Sequence, residues 1–164
     1  MIGDVVFFKK ENSIISKTIA KMTKSEYTHV GIVVAYDELT DIATIIESNR
    51  FIDTSVTILK LDEEKHRVYT IDKTKEQEEL IVKYSYELVG FEYDYMQIFG
   101  MFLSIVFGFN KDKIFNNANK LICSELIDNV YLKSGIKRNN NINIGNVTPQ
   151  DLLEVYDFKL RKEA

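Results

Sequence analysis

The chain has 164 residues, 45% of them hydrophobic, and its formal net charge at pH 7 is -4. This length predicts a single domain over residues 1–164, and the hydrophobic fraction suffices for a packed core, which argues against a disordered chain. The acidic balance argues against a general nucleic-acid binder, because such proteins carry a basic surface. We therefore expect no nucleic-acid partner.

The first half of the sequence predicts mostly sheet. Short runs rich in valine and isoleucine are typical of strands, and residues 13–22 have the apolar spacing of a helix. The predicted strands are residues 4–8, 29–35, 43–47, 51–61 and 67–71. A turn at Asp37 and Glu38 separates the second run from the third, so these two strands should form a hairpin.

The second half predicts mostly helices. Residues 74–88 have an apolar face, with Thr74 as a capping residue and Gly90 just after the end. A short last helix should begin at Pro149, because Thr148 is a good capping residue and proline suits the first helical position. Further helices are predicted over residues 95–107 and 124–132, and a final strand over residues 156–160.

The longest apolar segment runs from Met96 to Phe109. It is too short to cross a bilayer as a helix, which needs about 20 residues. We interpret it as a buried helix, with a membrane-facing or acyl-binding surface as the alternative. The N-terminus also lacks the basic stretch and apolar run of a signal peptide. The sequence thus predicts a cytoplasmic or virion-associated protein without a transmembrane helix.

The residues that indicate chemistry are a cysteine and a histidine. Cys123 is the only cysteine of the chain and opens the predicted helix 124–132, where the helix dipole favours a thiolate. His29 begins a predicted strand. Of the two histidines it is the better base, because His66 lies in a charged turn and is interpreted as a solvated surface residue. A thiol beside an imidazole is the core of a cysteine hydrolase.

Residues two apart on a strand share a face, so His29, Gly31, Val33 and Ala35 should point the same way. Small Gly31 and Ala35 would leave room on that face for the Cys123 helix. A third group must orient the imidazole, and Glu47 at the end of the hairpin's second strand suits this role. Each residue alone also has a structural interpretation: a buried apolar thiol, a core histidine and a surface glutamate.

These residues resemble a known family. The segments Gly3-Asp4-Val5-Val6, Thr28-His29-Val30-Gly31, Cys123-Ser124-Glu125-Leu126 and Thr148-Pro149-Gln150-Asp151, together with Glu47, are similar to the circularly permuted papain-like hydrolases, in the YiiX-like branch of the permuted NlpC superfamily. The matches span nearly the whole chain, in order. The resemblance implies an α+β permuted papain-like fold, an antiparallel sheet packed against helices with the nucleophile at a helix N-terminus.

The resemblance also implies roles for individual residues. Cys123 would be the nucleophile, His29 the general base and Glu47 the orienting acid. Tyr93, in Gly90-Phe91-Glu92-Tyr93, resembles a tyrosine that borders the active site and helps to stabilise the oxyanion, with Tyr95 as a competitor for that role. Independently of the resemblance, the backbone N–H of Cys123 at the helix start is a second candidate for an oxyanion donor.

Three functional hypotheses follow. The first is a cysteine amidase or peptidase that acts on a peptide-like or acylated small substrate through a thioester, with no metal or organic cofactor, since one cysteine and two separated histidines support a zinc site poorly. The second is a lipid-directed thioesterase or acyltransferase that uses the apolar segment from Met96 to Phe109. The third is a catalytically inactive binding module on the same fold.

Overall fold

The computed structural model describes residues 1–9, 25–48, 53–90, 92–93, 120–121, 123–139 and 147–161. In these ranges the strands are β1 Val5–Lys9, β2 Tyr27–Asp37, β3 Ile42–Ser48, β4 Thr54–Lys60, β5 His66–Thr70, β6 Glu92–Tyr93, β7 Lys120–Leu121 and β8 Lys159–Leu160. The helices are α1 Lys75–Glu87, α2 Cys123–Lys133 and α3 Pro149–Val155. The predicted helix 13–22 and the apolar segment 96–109 lie outside the described residues.

Six strands form one antiparallel sheet in the order β4-β3-β2-β1-β5-β8. The predicted hairpin is confirmed, since β2 and β3 are consecutive and pair with each other. The N-terminal strand β1 lies in the middle of the sheet, between β2 and β5. The two-residue strands β6 and β7 form a separate parallel pair, which brings the chain back to a point just before Cys123.

The two faces of the sheet pack against different sets of residues. On one face Val30, Ile32 and Val34 pack with α2 residues such as Leu126 and Ile127 in the main core. On the other face, alternate strand residues form a smaller cluster around Val6, Val33, Ala43 and Ile45. This alternation follows from the two-residue period of a strand. The architecture is α+β, as predicted, with α2 covering the face of β2 opposite the smaller cluster.

Capping residues fix the helix ends where the sequence predicted them. Thr74 caps α1 in a capping box with Gln77, and Thr148 caps α3 in a capping box with Asp151. Gly135 follows α2 with φ of 78°, a left-handed conformation that favours glycine. The predicted last strand is shorter than expected, because Tyr156 ends α3 and only Lys159–Leu160 pair with β5.

In the described part of the chain, no helix is long and apolar enough to span a membrane.

Candidate active site

His29 and Glu47 meet across the β2–β3 hairpin. The His29 Nε2–H donates to Glu47 Oε2 over 2.7 Å, and both side chains are largely buried. The approach depends on Gly31, which lies between them on the same face. A Cβ atom added at Gly31 would come within 3.3 Å of the Glu47 Cβ and 2.7 Å of the Ile45 Cδ1. Glycine therefore lets β3 side chains lie close against β2.

The second oxygen of Glu47 is also bound. Thr57 Oγ1 donates to Glu47 Oε1 over 2.6 Å. In the β3–β4 register Thr57 lies opposite Ile45, so it is the diagonal neighbour of Glu47 on the same face. The sequence predicts a strand over residues 51–61, which includes Thr57, but indicates no role for this residue. The signal that could have found it is a threonine on the face that also carries the glutamate.

Cys123 is the first residue of α2 and is only 6% exposed. Two contacts fix the helix beneath it. The Ser124 hydroxyl donates to the Val147 carbonyl, just before α3, and the Tyr131 hydroxyl donates to the Gly3 carbonyl over 2.7 Å. The thiol is therefore held at the positive end of a helix that is anchored both to the N-terminal segment and to the start of α3.

The β2 backbone also contacts the thiol. The Val33 N–H donates to Asp4 on the β1 side of β2, and strand amides alternate sides, so the Val30 N–H points toward β3. Among the described residues, the β2–β3 ladder stops at Ile32 and does not extend to Val30. Burial raises the pKa of the Cys123 thiol, but the His29 imidazolium and the N–H groups of Val30 and Ser124 outweigh burial, so the pKa is lower than usual.

The pKa of the His29 imidazole shifts upward, opposite to that of the thiol. Burial disfavours its charged form, yet the charges of Cys123 and Glu47 raise the pKa of His29 to about 9. Burial also raises the pKa of Glu47, but its bonds to His29 and Thr57 bring that pKa below the usual value. The three shifts all act in one direction: each favours the charged form of its group, the thiolate of Cys123, the imidazolium of His29 and the carboxylate of Glu47.

The free ring nitrogen of His29 is the one that can serve the thiol. Nδ1 is buried and completes no hydrogen bond of normal geometry with a described residue. The charge and the hydrogen bonding of Cys123 nevertheless raise the pKa of His29, so the thiol lies close to the ring, in a pair of the kind whose geometry is often looser before substrate binds. The arrangement leaves Nδ1 available to exchange a proton with the sulfur or with a bound substrate.

The predicted position of the Cys123 helix was wrong. The His29 ring lies 5.1 Å from the Phe8 ring, on the face of the smaller cluster, whereas α2 packs on the opposite face with Val30. Gly31 makes room for β3 side chains rather than for a helix. The Val30 amide lowers the pKa of the Cys123 thiol and points to the β3 side of β2, so the thiol lies beside β2, beyond Ile32, the last paired residue of the β2–β3 ladder.

His66 is not a solvated turn residue, contrary to the prediction. It begins β5, is half-buried, and its Nδ1 accepts the Asp62 N–H over 3.1 Å. Its ring packs edge-on against Phe8 at 4.9 Å, and burial lowers the pKa of His66. Phe8 thus lies between the two histidines.

Tyr93 lies in β6, paired with Leu121 two residues before Cys123. The backbone therefore passes near the site, while the Tyr93 side chain is outside the described part of the structure. Tyr95, its competitor, is also outside it.

Metal binding finds no support in this part of the chain. Within the described ranges, no group of three or more His, Cys, Asp or Glu side chains is arranged to hold a metal ion.

The chain as a whole matches a family of known proteins. Residues 1–152 match the family described as "Permuted papain-like amidase enzyme, YaeF/YiiX, C92 family". The chain belongs to this family. The resemblance read from the sequence is thereby confirmed, and the membership supports hydrolase activity at the level of the family.

A solved structure shows the same fold. The crystal structure titled metalloprotein yiiX from Escherichia coli O157:H7 is similar over 100% of this chain and 97% of that chain, with a TM-score of 0.67 and 16% sequence identity. At this identity the similarity establishes the permuted papain-like fold alone. The word metalloprotein describes that protein, and the described residues here do not form a fitting metal site. No curated protein matches the chain.

Proposed function

We propose that this protein is a cysteine amidase or peptidase in which Cys123 is the nucleophile, His29 the general base and acid, and Glu47 the group that orients His29. The observation that carries the proposal is the buried row of three groups with opposed pKa shifts. Structural ion pairs also shift pKa values, but here the shifts favour the thiolate of a cysteine at a helix N-terminus, which is the reactive form.

The reaction follows from this arrangement. The Cys123 thiolate attacks the carbonyl carbon of an amide and forms a tetrahedral oxyanion. The His29 imidazolium then gives its proton to the leaving amine, and a thioester remains on Cys123. A water molecule attacks the thioester, His29 takes the proton of that water, and the thiolate leaves with the acid product released. Glu47 stabilises the imidazolium at each stage in which it is present.

The substrate proposed is a peptide-like or acylated small molecule. The backbone N–H of Cys123 and the Tyr93 hydroxyl are the proposed donors to the oxyanion. The rival lipid-directed chemistry depended on the segment from Met96 to Phe109, which lies outside the described residues, so no observation favours it over the amidase.

The first experiment measures the alkylation rate of Cys123 against pH in the wild type, in His29→Ala and in His66→Ala. We expect an apparent thiol pKa well below the ordinary value of about 8.5 in the wild type, a rise in His29→Ala, and no change in the His66→Ala control. An ordinary pKa that is the same in all three proteins would overturn the proposed pair. Peptide amides and acyl esters are then compared as substrates, and turnover of esters alone would replace the amidase with the lipid-directed enzyme.

A further inference from the structure

Glu47 can orient His29 only if the carboxylate itself is held. A carboxylate at the end of a strand can rotate about its terminal torsion, which is broad and roughly two-fold. Each rotation changes which oxygen faces the imidazole and at what angle. Something must therefore select the rotation that places Oε2 on the His29 Nε2–H.

The structure assigns this task to Thr57: we propose that Thr57 is a positioning residue, which holds Glu47 in the orientation that serves His29. Its hydroxyl donates to Oε1, the oxygen that His29 does not use, over 2.6 Å. With Oε1 fixed from β4 and Oε2 bound to β2, the plane of the carboxylate is set by two strands. The inference rests on the proposed function for its catalytic consequence, but the geometry stands without it.

Thr57 is suited to the role by residue type and place. A β-branched residue has restricted χ1 rotamers, so its hydroxyl keeps one direction on a strand. Ser55 on the same strand lies directly opposite Glu47 in the register, whereas Thr57 lies opposite Ile45. The hydroxyl that binds Glu47 is nevertheless that of Thr57. The chain therefore contains a matched control: a hydroxyl on the same strand and face that does not hold the carboxylate.

The hydroxyl has two opposite effects on His29, and they can be separated. If Thr57 acts by orientation, its removal lets the carboxylate rotate away, the His29–Glu47 bond weakens, and the pKa of His29 falls from about 9. If Thr57 only withdraws charge from Glu47, its removal makes the carboxylate a stronger acceptor and the pKa of His29 rises. Of the described residues, the titratable groups that act on the imidazole are Glu47 from β3 and Cys123 from α2, so both must be kept intact in the test.

The test titrates the His29 imidazole by NMR in the wild type, Thr57→Val, Thr57→Ser and Ser55→Ala. Valine keeps the β-branched shape without the hydroxyl, and serine restores the hydroxyl. We expect the titration of His29 to move to lower pH in Thr57→Val and to stay at its wild-type position in Thr57→Ser and Ser55→Ala. His66 in the same spectra reports on general changes in the fold.

Activity gives the second readout. We expect kcat on an amide substrate to fall about tenfold in Thr57→Val, the scale of one charge-assisted hydrogen bond, with rescue by Thr57→Ser and a small change in KM. A His29 titration that is unchanged or moves upward in Thr57→Val would overturn the inference. If Thr57→Val does not fold, Thr57→Ala supplies the same loss of hydroxyl. If no hydrolysis is ever found, the proposed function fails while the titration still decides whether Thr57 positions Glu47.

Discussion

Two buried carboxylates in this protein have opposite characters. Asp128 on α2 is fully buried, and its oxygens accept three hydrogen bonds: from Arg138 Nε over 2.7 Å, from the Tyr156 hydroxyl over 2.8 Å, and from Arg138 Nη2. Glu47 is buried to a similar degree but binds a histidine and a threonine. Asp128 is paired with Arg138, whose charge is permanent. Glu47 is hydrogen-bonded to the titratable ring of His29, which lies beside the titratable thiol of Cys123.

The difference separates a structural ion pair from a reactive one. The guanidinium of Arg138 stays charged at any pH the protein meets, and its bonds to Asp128 fix the middle of α2 against residues 138 and 156. His29 instead has a titratable ring with a pKa raised to about 9, and its Nδ1 completes no hydrogen bond of normal geometry with a described residue, so its proton can move. Burial alone does not indicate function, since both carboxylates are buried. What distinguishes Glu47 is that its partner, His29, carries a proton that can be transferred.

The largest expected effect is that of Cys123→Ala. Removing the nucleophile should lower amide hydrolysis by roughly four or more orders of magnitude, because the residues of such a site act as a unit. Thermal unfolding should be nearly unchanged, since alanine fills most of the space of a thiol at the start of α2. Retained hydrolysis in this variant, measured on the purified protein, would exclude Cys123 as the nucleophile.

Asp128→Ala should have the opposite pattern, a lower stability with an unchanged kcat. It removes a fully buried carboxylate that accepts hydrogen bonds from Arg138 and Tyr156, which costs about 3–5 kcal/mol of stability, while the folded fraction keeps its kcat. Denaturant unfolding measures the loss. The control is the double change Asp128→Leu with Arg138→Met, which removes both charges and should be more stable than Asp128→Ala. A kcat that falls in the folded Asp128→Ala protein would mean that the two carboxylates are not separate in function.

The sequence predicted much of this arrangement because its signals are local. The strand runs, the Thr74 and Thr148 caps and the helix start at Cys123 depend on neighbours within a few residues, and each appears in the structure. The hairpin also predicted the approach of Glu47 to His29. The face of β2 that α2 covers could not be predicted, because strand alternation gives two faces and does not say which one a distant helix occupies.

Two further features of the site depend on long-range pairing. The β2–β3 ladder stops at Ile32, close to the place where the thiol and the imidazole meet, and no local pattern marks that end. Thr57 reaches Glu47 only through the β3–β4 register, which a one-residue slip would reverse. His66 was misplaced for the same reason: its charged sequence neighbours indicate a turn, while its ring packs on Phe8 from β1.

Glu47→Gln should have an intermediate effect on catalysis. The carboxylate charge helps to raise the pKa of His29 to about 9, so a neutral amide should lower that pKa. The imidazolium gives a proton to the leaving amine, so amide hydrolysis should decline as pH rises through the His29 pKa. That decline should occur near pH 9 in the wild type and at lower pH in Glu47→Gln, with kcat about 100-fold lower.

Alkylation of Cys123 supplies the control for that pH profile, because it requires only the thiolate. Its rate should stay high above pH 9, where hydrolysis declines. An alkaline decline that does not move in Glu47→Gln would mean that another group, and not His29, loses the proton.

The smallest expected effect is that of removing one hydroxyl donor, and it can be compared at the two carboxylates. Tyr156→Phe removes one hydroxyl that donates to Asp128 Oδ1, which should cost about 1.5 kcal/mol because Arg138 continues to hold the carboxylate. The His29 titration should not move. Thr57→Val removes one hydroxyl that donates to Glu47 and should move that titration. Should Tyr156→Phe also shift His29, the two clusters would be electrostatically coupled through α2. If Tyr156→Phe leaves His29 unchanged, removing a hydroxyl donor from a buried carboxylate affects reactivity only when that carboxylate is hydrogen-bonded to a titratable group of the site.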